Sequence, residues 1–482
     1  MTEPTSRKDV QRRHSDRLAP SREQWIARSR YFHDEDGRMM RFLVEPGKRV
    51  LALGCGVGNL LATLKPARGV GIDLSPGMIE TARRRHGEAA RPELRFIVGD
   101  VEDPATLGAL DGPFDAILLA DSIGALDDVQ TMLDSLQALA NRDTRLVVAY
   151  YSWLWQPLVA LAERIGLKMP QPPQNRLGPD DIAGLLALAD YEVIKRDWRM
   201  LVPYSLFGLG WLINRSIATL PMIRRLCLRH YLVARSKRHA GYAKLSTSIV
   251  IPARNERGNI ENAVKRLPAF CDDIEVVFVE GHSQDGTLEE MKRVQAAYPE
   301  RDIKVFQQDG KGKGDAVRKG FAQARGELLM ILDADLTVPP EALPKFYDAI
   351  ISGKGEFING SRLIYPMERG AMRPLNFAGN LFFSTLFSWL LNQRFTDTLC
   401  GTKVLTKAHY QRIAANRGYF GEFDPFGDFD LLFGAAKLNL KLIEVPIRYA
   451  DRLYGTTQIS RFRHGFMLLR MVLFAFRKLK AF

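Results

Sequence analysis

The sequence predicts an α/β protein of two domains, because short apolar runs alternate with helical segments twice along its 482 residues, from 49 to 149 and again from 245 onward. A stretch without acidic residues, 201–244, lies between the two series. The length accommodates two or three domains at roughly 150 residues each. With 46% hydrophobic residues the chain can bury sizeable cores. A single small binding module and global disorder are both excluded.

The formal net charge is +13, from 68 Lys plus Arg against 55 Asp plus Glu, and it is concentrated in two places. Residues 201–244 carry Arg215, Arg224, Arg225, Arg229, Arg235, Lys237, Arg238 and Lys244 with no acid; residues 453–482 carry Arg461, Arg463, Arg470, Arg477, Lys478 and Lys480, again with none. The rest is close to neutral. Both segments are also rich in Leu, Ile, Met and aromatics, including Trp211, Phe474 and Phe476. That is the composition of helices lying on an anionic membrane surface; solvated basic helices packed on a core are the plain alternative. Nucleic acid is not the expected partner, since apolar stripes rather than polar groups separate the basic residues.

Cys55, Cys227, Cys271 and Cys400 lie far apart, with no spacing that suggests a zinc or disulfide framework, which fits a reducing cytosol. Residues 1–21 are polar, mixed in charge and without an apolar core, so they read as a flexible tail. The uncharged run 374–393 is long enough to span a bilayer but carries Asn376, Asn380, Ser384, Thr385, Ser388 and Asn392. A partly buried or interfacial helix is expected there. The protein would then be cytoplasmic and peripheral, on the inner face of the membrane.

In the first series, residues 49–53, 69–73, 94–98, 114–119 and 144–150 read as strands of a parallel sheet, with ligands expected at their carboxyl ends. The first strand runs into Gly54-Cys55-Gly56-Val57-Gly58-Asn59. Glycines there permit a tight strand-to-helix turn. Asp73 ends the second strand, about twenty residues on, where a carboxylate can accept hydrogen bonds from a ribose diol. Gly99-Asp100-Val101 ends the third, placed to meet an adenine ring.

This arrangement resembles a class I S-adenosylmethionine-dependent methyltransferase with a Rossmann-like sheet, over residues 22–239. A dinucleotide-binding domain is the competitor, but its phosphate loop reads GxGxxG and leaves room for a pyrophosphate. The resemblance implies that Gly54, Gly56 and Gly58 face the methionine moiety, Asp73 the ribose, and Asp100 with Val101 the adenine. Ala52 departs from the family, which usually has an acid two residues before the first glycine. Methyl transfer needs mainly alignment of the acceptor with the sulfonium, and the sequence names no base. Asp121 is placed either to touch substrate or to cap the helical turn at 123–126. Residues 191–200 and 230–234 read as the sixth and seventh strands, which makes 201–229 an insertion at the cofactor end of the sheet and suggests a membrane-associated methyl acceptor.

The second series begins with the strand 248–252, which includes Pro252 and leads to Ala253-Arg254-Asn255-Glu256. Strand 274–279 leads to Glu280-Gly281-His282-Ser283-Gln284-Asp285, then come Lys311-Gly312-Lys313-Gly314 and a strand ending in Leu332-Asp333-Ala334-Asp335. Two carboxylates at i and i+2 leaving a buried strand can hold Mg2+ or Mn2+ against a diphosphate. Asp-x-Asp alone is usually a turn, but here it is the fourth motif in a fixed order.

That order resembles the inverting family 2 glycosyltransferases with the GT-A fold, and among them the dolichol-phosphate mannosyltransferases, from 246 to about 464. The resemblance implies a nucleotide-diphosphate sugar as donor. Pro252, Arg254 and Glu256 would line the nucleotide pocket, Asp285 would contact base or ribose, and Asp333 with Asp335 the metal and diphosphate. Lys311 and Lys313 would contact the nucleotide or close the loop. Gly281 stands where the family usually has a second acid, so uridine and guanosine both stay open.

The resemblance continues through Asn359-Gly360-Ser361-Arg362, residues 397–403, Gly427-Asp428-Phe429-Asp430 and 448–457. An alcohol acceptor requires a base, for which Asp428 and Asp430 are candidates. A polyprenyl phosphate is already anionic and requires cations instead, for which Arg362, Arg373, Lys403, Arg452 and Arg461 are candidates. The expected organisation is a tail (1–21), a methyltransferase domain (22–239, insertion 201–229), a linker (240–245), a GT-A domain (246–451) and a basic amphipathic segment (452–482). The expected protein is a bifunctional peripheral membrane enzyme that transfers sugar to a polyprenyl phosphate or other membrane lipid and methylates a second acceptor. Its alternative is a glycosyltransferase with an alcohol acceptor and a non-catalytic, lipid- or partner-binding first domain.

Overall fold

The computed structural model describes residues 6–87, 91–172, 174–365, 374–420, 427, 429–452, 454 and 461–482. Two compact units divide between Ala240 and Gly241.

The first unit holds a seven-stranded sheet: β1 (Arg49–Leu53), β2 (Arg68–Asp73), β3 (Leu94–Val98), β4 (Ala116–Ala120), β5 (Arg145–Tyr151), β6 (Tyr191–Arg199) and β7 (Arg229–Ser236). Their order is β3-β2-β1-β4-β5-β7-β6. The first five pair in parallel, whereas β7 runs antiparallel to both β5 and β6. Residues such as Leu51, Leu53, Ile117, Leu119, Leu146 and Val148 are buried in one core, as near-continuous apolar runs in a doubly covered sheet must be. The chain reverses direction across the sheet between β1 and β4, which opens a crevice beyond their carboxyl ends.

The amino-terminal segment departs from the expected flexible tail. A helix runs over Arg7–Leu18, capped where Ser6 Oγ accepts from Asp9 N at 3.1 Å. It buries none of its own residues and is held by polar contacts instead. Arg7 donates to the carbonyls of Gly124 (3.1 Å) and Leu126 (3.2 Å), and Gln11 to Ala125 O (2.8 Å). Asp16 Oδ1 accepts from Ser75 Oγ (2.5 Å) and Gly77 N (3.0 Å) at the start of the helix Pro76–His86. In the insertion between β6 and β7, Asn214 holds the chain by accepting from Leu201 N (2.8 Å) and donating to Val202 O (2.8 Å). Phe207, Leu209, Leu212 and Met222 of that insertion are exposed.

The second unit holds β8 (Thr247–Ala253), β9 (Ile274–Glu280), β10 (Asp302–Gln307), β11 (Leu328–Ile331), β12 (Phe357–Ser361), β13 (Lys403–Thr406) and β14 (Leu442–Pro446), in the order β10-β9-β8-β11-β13-β12-β14. Only β13 is antiparallel to its neighbours. The expected linker is packed at its end, since Tyr242 N donates to Ile351 O (2.9 Å) and Leu245 belongs to the core. Helices Pro374–Leu391 and Arg461–Leu479 meet where the Trp389 and Phe476 rings stack at 5.7 Å. Among the described residues no helix is long and apolar enough to cross a membrane.

Replacing Asp16 by Ala removes the external acceptor for Gly77 N and Ser75 Oγ and should lower the unfolding free energy by about 1 kcal/mol in urea denaturation of the full chain. Unchanged stability would show the segment to be a loose tail.

Candidate active sites

At the end of β1 the chain turns sharply: the amides of Gly54 and Cys55 both donate to Ile72 O, at 2.8 and 2.9 Å. Gly54, Gly56 and Gly58 adopt φ of +70°, +52° and +77°, a region that side chains disfavour. A Cβ on Gly54 would stand 2.7 Å from Ser122 Cβ and one on Gly58 2.6 Å from the Phe96 ring, whereas Gly56 faces open space. The loop is therefore closed at its ends and open in the middle. Ser122 Oγ, beside Gly54, is buried with no hydrogen-bond partner among the described residues. The open middle of the loop leaves room for a ligand to lie over Gly56.

Asp73 fastens this loop as well as ending β2. Its Oδ2 accepts from Gly56 N (2.8 Å) and its Oδ1 from Ser75 N (2.9 Å). Burial raises its carboxyl above the ordinary value, and the two amides offset part of that rise. Asp100 Oδ1 accepts from Glu102 N (2.9 Å) while its Oδ2 pairs with Lys8 (2.6 Å), a partner supplied by the amino-terminal helix. Val101 is buried in the core beside it.

Asp121 follows β4 with φ +62° and caps nothing; its carboxylate pairs with Arg229. Arg229 is buried at the first position of β7, and its Nε donates to Asp36 Oδ1 at 2.7 Å. The Tyr231 hydroxyl donates to the same oxygen. Burial works against the Arg229 charge, but Asp121 and Asp36 outweigh it and hold the guanidinium firmly protonated. Nearby, burial pushes the His33 imidazole down to about 4, and Arg22 adds to the effect, so it is neutral at pH 7. Sequence reasoning missed Asp36, His33 and Arg229. The one available signal was a basic residue opening a strand that is otherwise largely apolar.

In the second unit the loops after β8 and β9 are joined by hydrogen bonds. Asn255 N donates to Ser283 Oγ (3.0 Å), Glu256 N to Thr287 Oγ1 (3.0 Å) and Arg257 N to Asp285 Oδ2 (3.2 Å). Pro252 is half-buried and Arg254 exposed. A Cβ on Gly281 would lie 3.1 Å from Arg254 Cβ, so any side chain at 281 would crowd that arginine.

Just past β11, Asp333 pairs with Lys313 Nζ at 2.7 Å, and Asp335 Oδ2 pairs with Arg452 Nη2 at 2.6 Å. The other end of that guanidinium, Nη1, reaches Glu256 Oε1 at 2.8 Å. Burial pushes the Asp333 carboxyl up, but Lys313, Lys403 and Arg362 together outweigh it and hold it below the ordinary value. Glu256 behaves oppositely: burial raises it and Arg452 offsets only part. The pair of carboxylates fits a hard divalent cation by its all-oxygen donors and by the positive charge it already draws in.

Gly401 closes this corner, since a Cβ there would stand 2.0 Å from Asp333 Oδ2 and 2.4 Å from Lys313 Nζ. Lys403 is buried and donates to Cys400 O at 2.5 Å. Arg362 is locked in a two-pronged pair with Asp397, Nε to Oδ2 at 2.6 Å and Nη2 to Oδ1 at 2.8 Å. Asp430 pairs with Arg417 at 3.5 Å, and Lys311 is exposed. Asp428 and Arg373 lie outside the described residues, as does the side chain of Arg461. The structure thus brings Lys313, Asp333 and Gly401 together, and Glu256, Asp335 and Arg452 together.

The family model described as glycosyl transferase family 2 matches residues 248–417, and that described as methyltransferase domain matches 50–143. The dolichol-phosphate mannosyltransferase of Pyrococcus furiosus is 35% identical over 122 residues, 25% of this chain and 34% of that protein. The dolichyl-phosphate hexose transferase of Haloferax volcanii is 30% identical over 221 residues, 45% of this chain and 88% of that protein. The chain spans between a third and about half the length of the first curated relatives it matches. A S-adenosylmethionine-dependent methyltransferase structure from Thermotoga maritima aligns at 17% identity with a TM-score of 0.36, covering 46% of this chain and 99% of that one.

Gly401→Ala places a methyl group against Asp333 and should weaken Mn2+ binding about tenfold, read by electron paramagnetic resonance of the free ion. Unaltered binding would separate Gly401 from the carboxylate pair.

Proposed function

The chain belongs to glycosyl transferase family 2 and carries a methyltransferase domain ahead of its glycosyltransferase half, and from that premise we propose a bifunctional peripheral enzyme of the cytoplasmic membrane face. Its second unit transfers a sugar, with inversion, from a nucleotide-diphosphate sugar to a polyprenyl phosphate. Its first unit methylates an acceptor with S-adenosylmethionine.

The observation that carries the reading is the adjacency of the carboxylates Asp333 and Asp335 to the cations Lys313 and Arg452. Asp333 and Asp335 would hold Mg2+ or Mn2+. A divalent ion in that position neutralises the charge that develops on the departing nucleoside diphosphate. Pro252, Arg254, Glu256 and Asp285 would line the nucleotide, with Lys311 at the rim. Lys313 and Arg452 then exchange a carboxylate partner for phosphate oxygens, which suits a reaction between two anions. Arg362 has its charge compensated by Asp397, so it positions the loop that carries Gly401 and Lys403. Asp430 is paired with Arg417, whereas an acceptor that is already anionic needs no base at all. A polyprenyl phosphate meets that condition, and the Pyrococcus and Haloferax relatives are named for dolichol-phosphate and dolichyl-phosphate transfer.

In the first unit Gly54, Gly56 and Gly58 would face the methionine moiety of the cofactor. Asp73 keeps lone pairs for the ribose hydroxyls while fastening the loop, and Asp100 with Val101 would meet the adenine. Exposed apolar residues support the membrane reading in both units. They are Phe207, Leu209, Leu212 and Met222 in the first, and Phe377, Leu381, Phe382, Phe466, Leu469 and Leu473 in the second.

With uridine- and guanosine-diphosphate sugars as donors, a short polyprenyl phosphate should be used about 100-fold better than the matching prenol; equal use of the phosphate-free alcohol contradicts the acceptor assignment. Deleting residues 205–226 should reduce binding to phosphatidylglycerol vesicles, and raising the salt concentration should reduce the remainder. Vesicle binding untouched by the deletion would remove the insertion from the membrane contact.

A further inference from the structure

The helix Gln156–Arg164 is used by none of the assignments above, and it buries none of its own residues. It follows β5 directly, led in by the turn Trp153–Trp155. Leu154, Leu158, Leu161 and Ile165 recur at the spacing of one helix face, and each is between 53% and 61% exposed. Val159, on another side of the helix, packs with Tyr151 and Trp155 onto Phe32, Met200 and Leu228. The helix is thus seated by one side while a row of four aliphatic side chains stands in water, and such a row marks an interaction surface.

The row adjoins the insertion between β6 and β7. Tyr151 at the end of β5 stands opposite Arg229 at the start of β7, and Arg229 stands opposite Arg199 at the end of β6. The two segments therefore leave the sheet at one edge. Beyond it they are fastened to each other, Ser152 N donating to Leu228 O and Trp155 Nε1 to Leu226 O, both at 2.8 Å. Trp153 on one segment and Trp211 on the other are exposed, and tryptophan is enriched where a protein meets lipid headgroups.

Charge selects among the partners that such a surface could take. Residues 200–228 hold no acid, and residues 152–178 hold only Glu163, which pairs with Lys168 at 2.7 Å. Arg164 and Arg225, next in sequence to Ile165 and Leu226, are exposed. A second copy of this chain would bring like charges together, whereas an anionic bilayer offers an apolar interior and compensating charge at once.

We propose that Leu154, Leu158, Leu161 and Ile165 enter the headgroup region of an anionic bilayer, as a second contact continuous with the insertion 205–226. This rests on the membrane reading above and adds to it an element outside the insertion. It turns the edge of the first sheet that carries Asp121 and Arg229 toward the lipid.

The test is co-sedimentation of the full chain with phosphatidylglycerol vesicles, comparing the wild type with the double variant Leu158→Gln/Leu161→Gln. Both side chains are exposed and glutamine is a good helix former, so the variant should unfold in urea at the wild-type midpoint. Its vesicle partition coefficient should fall about tenfold. A second measurement needs no change in the row itself: Trp153→Phe should reduce the fluorescence quenching caused by brominated phosphatidylglycerol, and it decides the matter if the double variant unfolds early. Wild-type partition by a folded double variant, or quenching that Trp153→Phe leaves undiminished, overturns this contact while the insertion keeps its part. A wild-type dimer that the double substitution converts to monomer assigns the row to a second copy and overturns the proposal as well. A wild-type protein that does not bind the vesicles withdraws the membrane reading and the proposal together.

Discussion

Carboxylates gathered at the carboxyl ends of parallel strands must be compensated, and both units are built around that requirement. A parallel sheet delivers the ends of its strands to one edge, and in both units acids follow those ends: Asp73, Asp100 and Asp121 in one, Asp333 and Asp335 in the other. An ionised carboxylate withdrawn from water without a partner costs several kcal/mol. Each of these acids accordingly has one. Loop amides serve Asp73, and Lys8 serves Asp100. Arg229 serves Asp121 and Asp36 together, Lys313 serves Asp333, and Arg452 serves Asp335 and Glu256 together.

The same requirement accounts for the role of the chain's peripheral segments. The amino-terminal helix buries no residue fully and packs only Leu18 on an apolar cluster, and it docks mainly by supplying Arg7 and Lys8 to the loops and Asp16 to a helix start. Arg452 does the equivalent in the second unit from the far side of β14. In the function proposed above, a nucleoside diphosphate or a lipid phosphate would take the place of a carboxylate at Lys313 or Arg452, and a divalent ion would sit on the acids released. Arg362 and Asp397 illustrate the opposite case, a buried, two-pronged pair whose work is to hold a loop.

Much of this was legible in the sequence, for definite reasons. The strands ending in Leu53, Asp73 and Val98 were set by apolar runs bounded by glycine or acid, and the reading of five parallel strands agrees with the register found. Glycine at 54 and 58 signals turns whose closeness to Ser122 and Phe96 leaves no room for a side chain. What escaped were partnerships between residues far apart in the chain. Nothing near Lys8 indicates Asp100, and nothing near Arg452 indicates Asp335 and Glu256. The helix Arg7–Leu18 escaped for a related reason: periodic apolar residues are the main signal for a helix, and this one is seated by charge. Arg229 had the same disguise, a cation at the head of a buried strand whose two acids come from a helix and from the loop after β4.

The central claim is that one chain carries two separate ligand sites, each resting on compensated acids at a sheet edge. Titrating the full chain in a calorimeter with S-adenosylhomocysteine, and then with Mn2+ and uridine or guanosine diphosphate, tests it most directly. The account predicts one equivalent of each ligand, with Asp333→Asn removing the metal-dependent nucleotide event and sparing the other. A wild-type chain that takes up no S-adenosylhomocysteine, or an Asp333→Asn variant whose nucleotide binding still follows Mn2+, would contradict it.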